Sequence, residues 1–155
     1  MVVKIRKATL KDINQITKLG LEEERYFQKR GEFIYSLKNK ECHKKVAREN
    51  INKRKKLLLV AEENKRLVGY LYGAVWETPK MKMQRKGILN EIFLTQKYRG
   101  KGIANKLKDV FLKWLKGKKV EYVLLYVEKN NKKAIKVYNK WGFKSHYIEM
   151  LKKIK

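Results

Sequence analysis

"LNEIFLTQKYRGKGIANKL", Leu89 to Leu107, is the stretch on which the reading of this chain turns. It runs from an apolar, β-branched and aromatic segment through two glycines one residue apart, Gly100 and Gly102, into a helical pattern. Glycine lets backbone fold closely around a ligand with no Cβ in the way. The first N–H groups of a helix have no partner within it, and the helix dipole adds partial positive charge at the same place. Arg99, Lys101 and Lys106 supplement that charge. A strand that hands over to a helix in this way predicts a phosphate or diphosphate site. The alternative is that the glycines serve only a sharp turn.

Two common phosphate turns do not fit. A P-loop needs Ser or Thr after its Gly-Lys pair, and here Gly102 follows Gly100-Lys101. A dinucleotide fingerprint needs a third glycine where Asn105 stands, and the remaining chain is too short for the second half of that fold.

Outward from this stretch, the chain alternates strands and helices. "VVKIRKA" (2–8) reads as a strand, and Thr9 with Asp12 as a capping box ahead of a helix to about residue 25, with Ile13, Ile16, Leu19 and Gly20 as its stripe. "GEFIYSLKNKE" (31–41) reads as irregular, and 41–56 as a second helix with a thin apolar face. Two apolar runs, 57–61 and 67–76, flank an Asn64-Lys65 turn and predict a hairpin. "TPKMKMQRK" (78–86) is a loop, and 87–95 the strand before the glycines. The helix after them carries Ile103, Ala104, Leu107, Val110, Phe111, Trp114 and Leu115 on one stripe, with Gly117 as its C-cap. "VEYVLLYV" (120–127) is so apolar that a central strand is expected. A short helix over 131–141 and a closing strand over 142–154 complete a mixed sheet with helices.

Composition sets the frame. The 155 residues imply one domain over 1–155, large enough to bury a core. One cysteine, Cys42, excludes a disulfide framework, and with only His43 and His146 a metal centre is not expected. The first residues lack a signal-peptide core and no apolar run is long enough to span a membrane, so a cytoplasmic protein is expected. Net charge is +26, from 41 basic residues, 33 of them Lys, against 15 acidic ones. Such a field attracts polyanions. Lysine excess makes diffuse phosphate contacts rather than base readout, or it reflects composition alone.

Downstream, "VEKNNKKAIKVYNKWGFK" spaces Asn131, Ala134, Tyr138, Gly142 and Phe143 as N-x-x-A-x-x-x-Y-x-x-x-G-F. Arg99, Gly102 and Ala104 match R/Q-x-x-G-x-G/A. Together these motifs resemble the GNAT (Gcn5-related N-acetyltransferase) superfamily, over the whole chain and most specifically from Leu89 to Lys144. The resemblance implies an α/β (α+β) fold, a mixed and largely antiparallel sheet of six to seven strands with about four helices and splayed central strands. It implies transfer of acetyl from acetyl-CoA to a primary amine on a small molecule, a peptide N-terminus or a lysine. Backbone groups of Ile92, Phe93 and Leu94 would pair with pantetheine and polarise the thioester. Arg99 and the N–H groups of Gly100, Lys101, Gly102, Ile103, Ala104 and Asn105 would hold the diphosphate, with Asn131 also touching the cofactor. Tyr138 would protonate the leaving thiolate, and its two-turn spacing from Asn131 puts the two on one helix face.

The base is the least specified part. Glu91, flanked by apolar residues, is the candidate, directly or through water; otherwise it is a solvated residue or a lysine partner. Tyr126 stands where protein-acetylating relatives can carry a glutamate. The net field disfavours polycationic acceptors and favours acidic peptides or anionic amines. The competing reading is a nucleic-acid- or ribosome-associated module, with "NINKRKK" (50–56) and "KMKMQRK" (80–86) as basic patches. A homodimer is compatible with either.

Overall fold

A computed structural model describes residues 2–29, 39–78, 85–150, 152 and 154. Its elements are β1 (Lys4–Lys7), α1 (Ile13–Gln28), α2 (Lys40–Asn50), β2 (Lys56–Glu63), β3 (Arg66–Glu77), β4 (Arg85–Leu94), α3 (Ile103–Gly117), β5 (Tyr122–Leu125) and α4 (Lys132–Lys140). Five strands form one sheet in the order β1-β2-β3-β4-β5, antiparallel except for the last pair. The class is the α/β one expected, with five strands among the described residues in place of six to seven.

Local chemistry explains most boundaries. Before α1 the predicted capping box is present: the Asp12 carboxylate accepts from the Thr9 N–H at 2.7 Å, and Arg6 holds its other side with two contacts of 2.8 Å. These bonds, led by the one from Arg6, lower the Asp12 pKa to about 2. In the hairpin Asn64 and Lys65 both take positive φ, 49° and 63°, as a two-residue primed turn requires. Asn39 caps α2 by accepting from the Cys42 N–H at 3.0 Å. That helix ends at Asn50, earlier than the expected Lys56, because Ile51 turns to extended backbone and buries in the core.

The sheet is covered on both faces. On one, α3 packs Ile103, Leu107, Phe111 and Leu115 on Leu59, Leu71 and Leu89. Gly73 admits this contact, since a Cβ there would lie 2.4 Å from the Phe111 ring. On the other, α1 and α2 pack Ile13, Ile16, Leu19 and Ala47 on Val60, Tyr70 and Phe93. Side chains therefore alternate along β4: Ile92 and Leu94 face α3, while Glu91 and Phe93 face α1 and α2.

Several expectations are corrected. Val110 is 41% exposed, off the α3 stripe. Gly117 is still helical, and Lys119 takes the left-handed turn after it (φ 56°). The apolar strand β5 is not central: it is four residues long and lies at the sheet edge, with Tyr122 and Tyr126 exposed. No strand forms over 142–150, where adjacent apolar residues, Tyr147 and Ile148, break the period of two and are exposed. The expected segment 31–38 and the "KMKMQRK" patch at 80–84 lie outside the described residues. Among those described, no helix is long and apolar enough to cross a membrane.

Candidate active site

The glycine turn has the predicted geometry. Gly100 and Gly102 have φ of 75° and 76°, the left-handed region that side chains disfavour. A Cβ added at either would meet nothing within 4 Å, so both face open space. The first intrahelical bond of α3 here is from the Lys106 N–H to the Gly102 carbonyl at 3.2 Å. The N–H groups of Ile103, Ala104 and Asn105 precede it without intrahelical acceptors. No acidic residue stands in that first turn to offset the dipole. These features suit a diphosphate.

The Arg99 side chain, expected beside the diphosphate, is engaged elsewhere. Arg99 Nε donates to the Leu94 carbonyl at 2.8 Å, and its guanidinium lies over the Tyr26 and Phe93 rings at 4.1 and 5.3 Å. Arg99 therefore braces the end of β4 against α1. Asn105 Oδ1 accepts from Trp141 Nε1 at 2.8 Å, tying α3 to the end of α4. Lys101 stays by the turn, its ammonium 5.7 Å from the Tyr98 ring.

The cleft starts one element earlier. Strands β4 and β5 pair only from Lys86↔Tyr122 to Leu89↔Leu125. At Asn90 the register of β4 against β3 slips, with Tyr72 opposite Glu91 but Gly73 opposite Leu89. That bulge adds twist and bends the strand. Among the described residues, Asn90–Leu94 continues beside β3 with no strand partner on its other side, which is the splay expected of the central strands.

Which backbone groups line this opening follows from the antiparallel alternation. The Thr95 N–H donates to the Val68 carbonyl at 3.0 Å, so Thr95 is a hydrogen-bonded position, and Phe93 and Glu91 alternate with it. Their backbone groups point to β3. Those of Ile92 and Leu94 point to the opening, where Arg99 already takes the Leu94 carbonyl. Of the three residues expected to meet pantetheine, Phe93 contributes its buried ring instead of its backbone.

On the α1 face of β4 lies a cluster that sequence reading only half found. The Tyr70 hydroxyl sits against the Glu23 carboxylate and 3.1 Å from Glu91 Oε2. Glu91 is solvent-exposed, Glu23 half-buried and Tyr70 buried. Burial first, then the charge of Glu91, pushes Glu23 up to about 8. Burial also raises Glu91, against the bond from Tyr70. Two carboxyl groups that meet at one hydroxyl each disfavour the other's charge. Burial and the two carboxylates raise Tyr70 well above the ordinary tyrosine range. Glu23 was legible in principle, since it falls three and four residues after Gly20 and Leu19 on the apolar stripe of α1, where a carboxylate is out of place. Nothing in "LVGYLYG" distinguishes Tyr70 from a core aromatic.

Tyr138 rises from α4 on the far side of the cleft, packed on Trp141 and Phe143 at 5.6 and 6.1 Å between ring centroids. Burial, and then the charge of Glu23, raises its pKa, so it is a neutral acid near the carboxylates. Asn131 caps α4, its Oδ1 accepting from the Ala134 N–H at 3.1 Å. That leaves only its amide NH₂ to turn toward a ligand.

A helix N-terminus with a glycine turn thus stands beside strands that part at a bulge. The Acetyltransferase (GNAT) family matches residues 18–143, and the chain belongs to that family. No curated protein matches the sequence. Among solved structures, the chain is similar to a predicted acetyltransferase from Clostridium acetobutylicum solved with acetyl-CoA (21% identity, 97% of this chain and 96% of that one, TM-score 0.77). It is also similar to a ribosomal-protein-alanine N-acetyltransferase from Brucella melitensis (18%, 99% and 100%, TM-score 0.76). A third is AAC(6')-Iy with the bisubstrate analogue CoA-S-monomethyl-acetylneamine (14%, 100% and 99%, TM-score 0.78). At these identities the likeness is one of fold.

Proposed function

We propose that this protein is an acetyl-CoA-dependent N-acetyltransferase that acts on a primary amine by direct attack. The observation that carries the reading is the coincidence, at one end of β4, of the unpartnered α3 N–H groups with the bulge-opened strand edge. The N–H groups of Ile103, Ala104 and Asn105, with Lys101, hold the diphosphate. Ile92 offers its N–H and C=O from the open strand edge. Bound there, acetyl-CoA supplies an acyl group already activated as a thioester.

The chain's own residues do the remaining work. Glu91 Oε takes a proton from the acceptor ammonium, so the nitrogen lone pair is free to attack. The Ile92 N–H stabilises negative charge on the carbonyl oxygen. Tyr138 Oη gives its proton to the departing sulfur, a transfer its raised pKa leaves it protonated to perform. Holding amine and thioester together supplies much of the rate.

The expectation of an acidic acceptor gains no support from the geometry, since the groups beside the reacting position are carboxylates. The nucleic-acid reading rests on surface lysines alone. Lys53, Arg54, Lys56 and Lys118 line a groove of about 420 Å³ at the C-terminal end of α3, far from the glycine turn. The test is acetyl-CoA titration followed by thermal denaturation at fixed, moderate salt. Acetyl-CoA raises the melting temperature by mass action, and Gly102→Glu removes the rise. Salt-steep binding to oligonucleotides with no response to acetyl-CoA would favour the module instead.

A further inference from the structure

The basic run "NINKRKK" (50–56) has no part in the acetyl-transfer site, and folding gives it neighbours that the run itself does not show. Asn52, Lys53, Arg54 and Lys56 line the groove of about 420 Å³ at the C-terminal end of α3, together with Lys7 from β1, Trp114 from α3 and Lys118 just after it. A second groove of about 230 Å³ shares Arg54 and Lys118 with the first and adds Lys55, Arg85 and Lys119. Among the described residues no acidic side chain lines the first groove. In the second, Glu77 pairs with Lys55 at 2.6 Å and with Arg85 at 3.3 Å. Lys118 and Lys119 are ordinary at the negative end of a helix dipole. The dipole does not explain Lys7, Lys53, Arg54 and Lys56, which arrive from β1, the turn after α2 and β2. Gathering them costs self-repulsion, which a bound polyanion relieves.

A second observation points to the kind of polyanion. Trp114 lines the groove half-buried and stacks on Phe111, with 6.0 Å between ring centroids and 26° between planes. Phe111 is fully buried, so the indole is seated on the core. The Lys118 ammonium lies 5.9 Å from the indole centroid. A seated aromatic ring among cations suits a single-stranded nucleic acid, whose phosphates meet the cations while a base stacks on the ring. An acidic peptide would use the cations and leave the indole idle. A duplex keeps its base faces stacked inside and would do the same. Lysine outnumbers arginine around both grooves, which favours phosphate contacts over base readout.

We propose that these joined grooves are a second binding site, for single-stranded nucleic acid with little sequence preference. The site sits beside the transferase reading rather than replacing it. The fifteen residues of α3, about 20 Å of helix, separate it from the glycine turn, so both ends can be occupied together.

The test follows fluorescence anisotropy of labelled oligo(U) and oligo(dT) of about 12 nucleotides, a duplex of the same length, and polyglutamate of matched charge. The single strands are expected to bind about tenfold or more tighter than the other two. Five phosphate contacts predict a loss of about 10²-fold in affinity between 50 and 200 mM salt. Lys53→Glu with Arg54→Glu should weaken binding about tenfold or more and flatten the salt dependence. Lys18→Glu with Lys65→Glu, an equal change of charge on exposed residues outside both grooves, should cost about threefold or less. Single strands should quench tryptophan fluorescence, and Trp114→Phe, which keeps a ring on Phe111, should remove most of the quench. A preference between oligo(U) and oligo(dT) tells RNA from DNA and supports the site either way. Equal losses in the two charge variants, equal binding of duplex or polyglutamate, a quench unchanged by Trp114→Phe, or no binding at the lower salt overturns it. The thermal shift with acetyl-CoA is read in parallel. Its loss in the parent would overturn the transferase reading and leave this site standing, and its persistence in Lys53→Glu with Arg54→Glu separates the two.

Discussion

Replacing Glu23 with Gln should stabilise the unliganded protein above neutral pH. The Glu23 carboxyl moves from an ordinary 4.5 to about 8 on folding, through burial and the neighbouring Glu91. A group whose folded pKa is raised binds a proton on folding, so the stability it allows is complete below the unfolded value and is lost as pH rises through the folded one. That window runs from 4.5 to about 8. The displacement sets a ceiling of about 5 kcal/mol, at about 1.4 kcal/mol per pH unit of displacement. Glu91 relaxes when its neighbour is neutralised, and part of the shift belongs to the pair, so about 1–3 kcal/mol is the expected gain. Gln keeps the shape and can still meet the Tyr70 hydroxyl. For a chain of this length the gain is roughly 2–10 °C in melting temperature near pH 8. Near pH 3.5, below the unfolded value, the parent's carboxyl is mostly protonated in both states, so parent and variant should nearly coincide. Paired melting curves at the two pH values, without ligand, measure the difference. A variant less stable than the parent near pH 8 would show that the Glu23 carboxylate is compensated in the folded protein, and the reasoning from burial and the charge of Glu91 would fail.

Gly102→Val puts a branched side chain where φ is 76° and into the space in front of the α3 amides; about 1–2 kcal/mol of stability and most of the acetyl-CoA thermal shift should be lost. Tyr138→Phe should lower kcat by about 10²-fold or more with acetyl-CoA affinity nearly unchanged, a split read from steady-state kinetics and titration together. Asp12→Ala removes the acceptor of both Arg6 bonds and the cap of the turn before α1, and should cost about 2–4 kcal/mol in denaturant unfolding. The Asp12 pKa is lowered to about 2, so the parent's advantage is present above the unfolded carboxyl range and disappears as pH falls toward 2. Asn131→Ala should cost about 1 kcal/mol through loss of the α4 cap, and should weaken acetyl-CoA binding only if the amide NH₂ reaches it.

Local signals in the sequence reach as far as neighbouring residues act on one another. Gly100 and Gly102 announce a left-handed turn because few other residues tolerate it, and the Asn64-Lys65 hairpin and the Thr9–Asp12 box are of the same kind. The errors fall where partners come from elsewhere in the chain. Residues 120–127 look like a central strand because an apolar run records burial but not which neighbours cause it; here Val123 and Leu125 pack against the α3 core while, among the described residues, the outer edge of β5 has no strand partner. Arg99 fits the anion motif by position, yet its guanidinium lies over Tyr26, more than seventy places earlier. Phe93 shows a finer limit. Which of three consecutive residues offers its backbone depends on the strand register, and the Asn90 bulge sets that register. Glu91 was visible alone, but its meaning depends on Glu23 and Tyr70, which only folding brings to it.

The net charge of +26 invites a single account, a positive protein for negative partners. Strand β4 argues for two. At its end the chain turns into the unpartnered amides of α3 and Lys101, a place for anions. On its α1 face, Glu91 and Glu23 meet at the Tyr70 hydroxyl, a place of negative charge. Side-chain alternation makes this separation possible, since consecutive residues of one strand serve opposite faces. Arg99 marks the border: its Nε holds the Leu94 carbonyl, its plane rests on Tyr26 and Phe93, and its charge weakly opposes the rise that burial and Glu91 impose on Glu23. A transferase that joins a polyanionic donor to an ammonium acceptor needs both signs of charge within one cleft without letting them cancel. A protein rich in lysine can attract the donor from a distance, while among the described residues Glu23 and Glu91 meet at Tyr70 and form no ion pair with Lys or Arg.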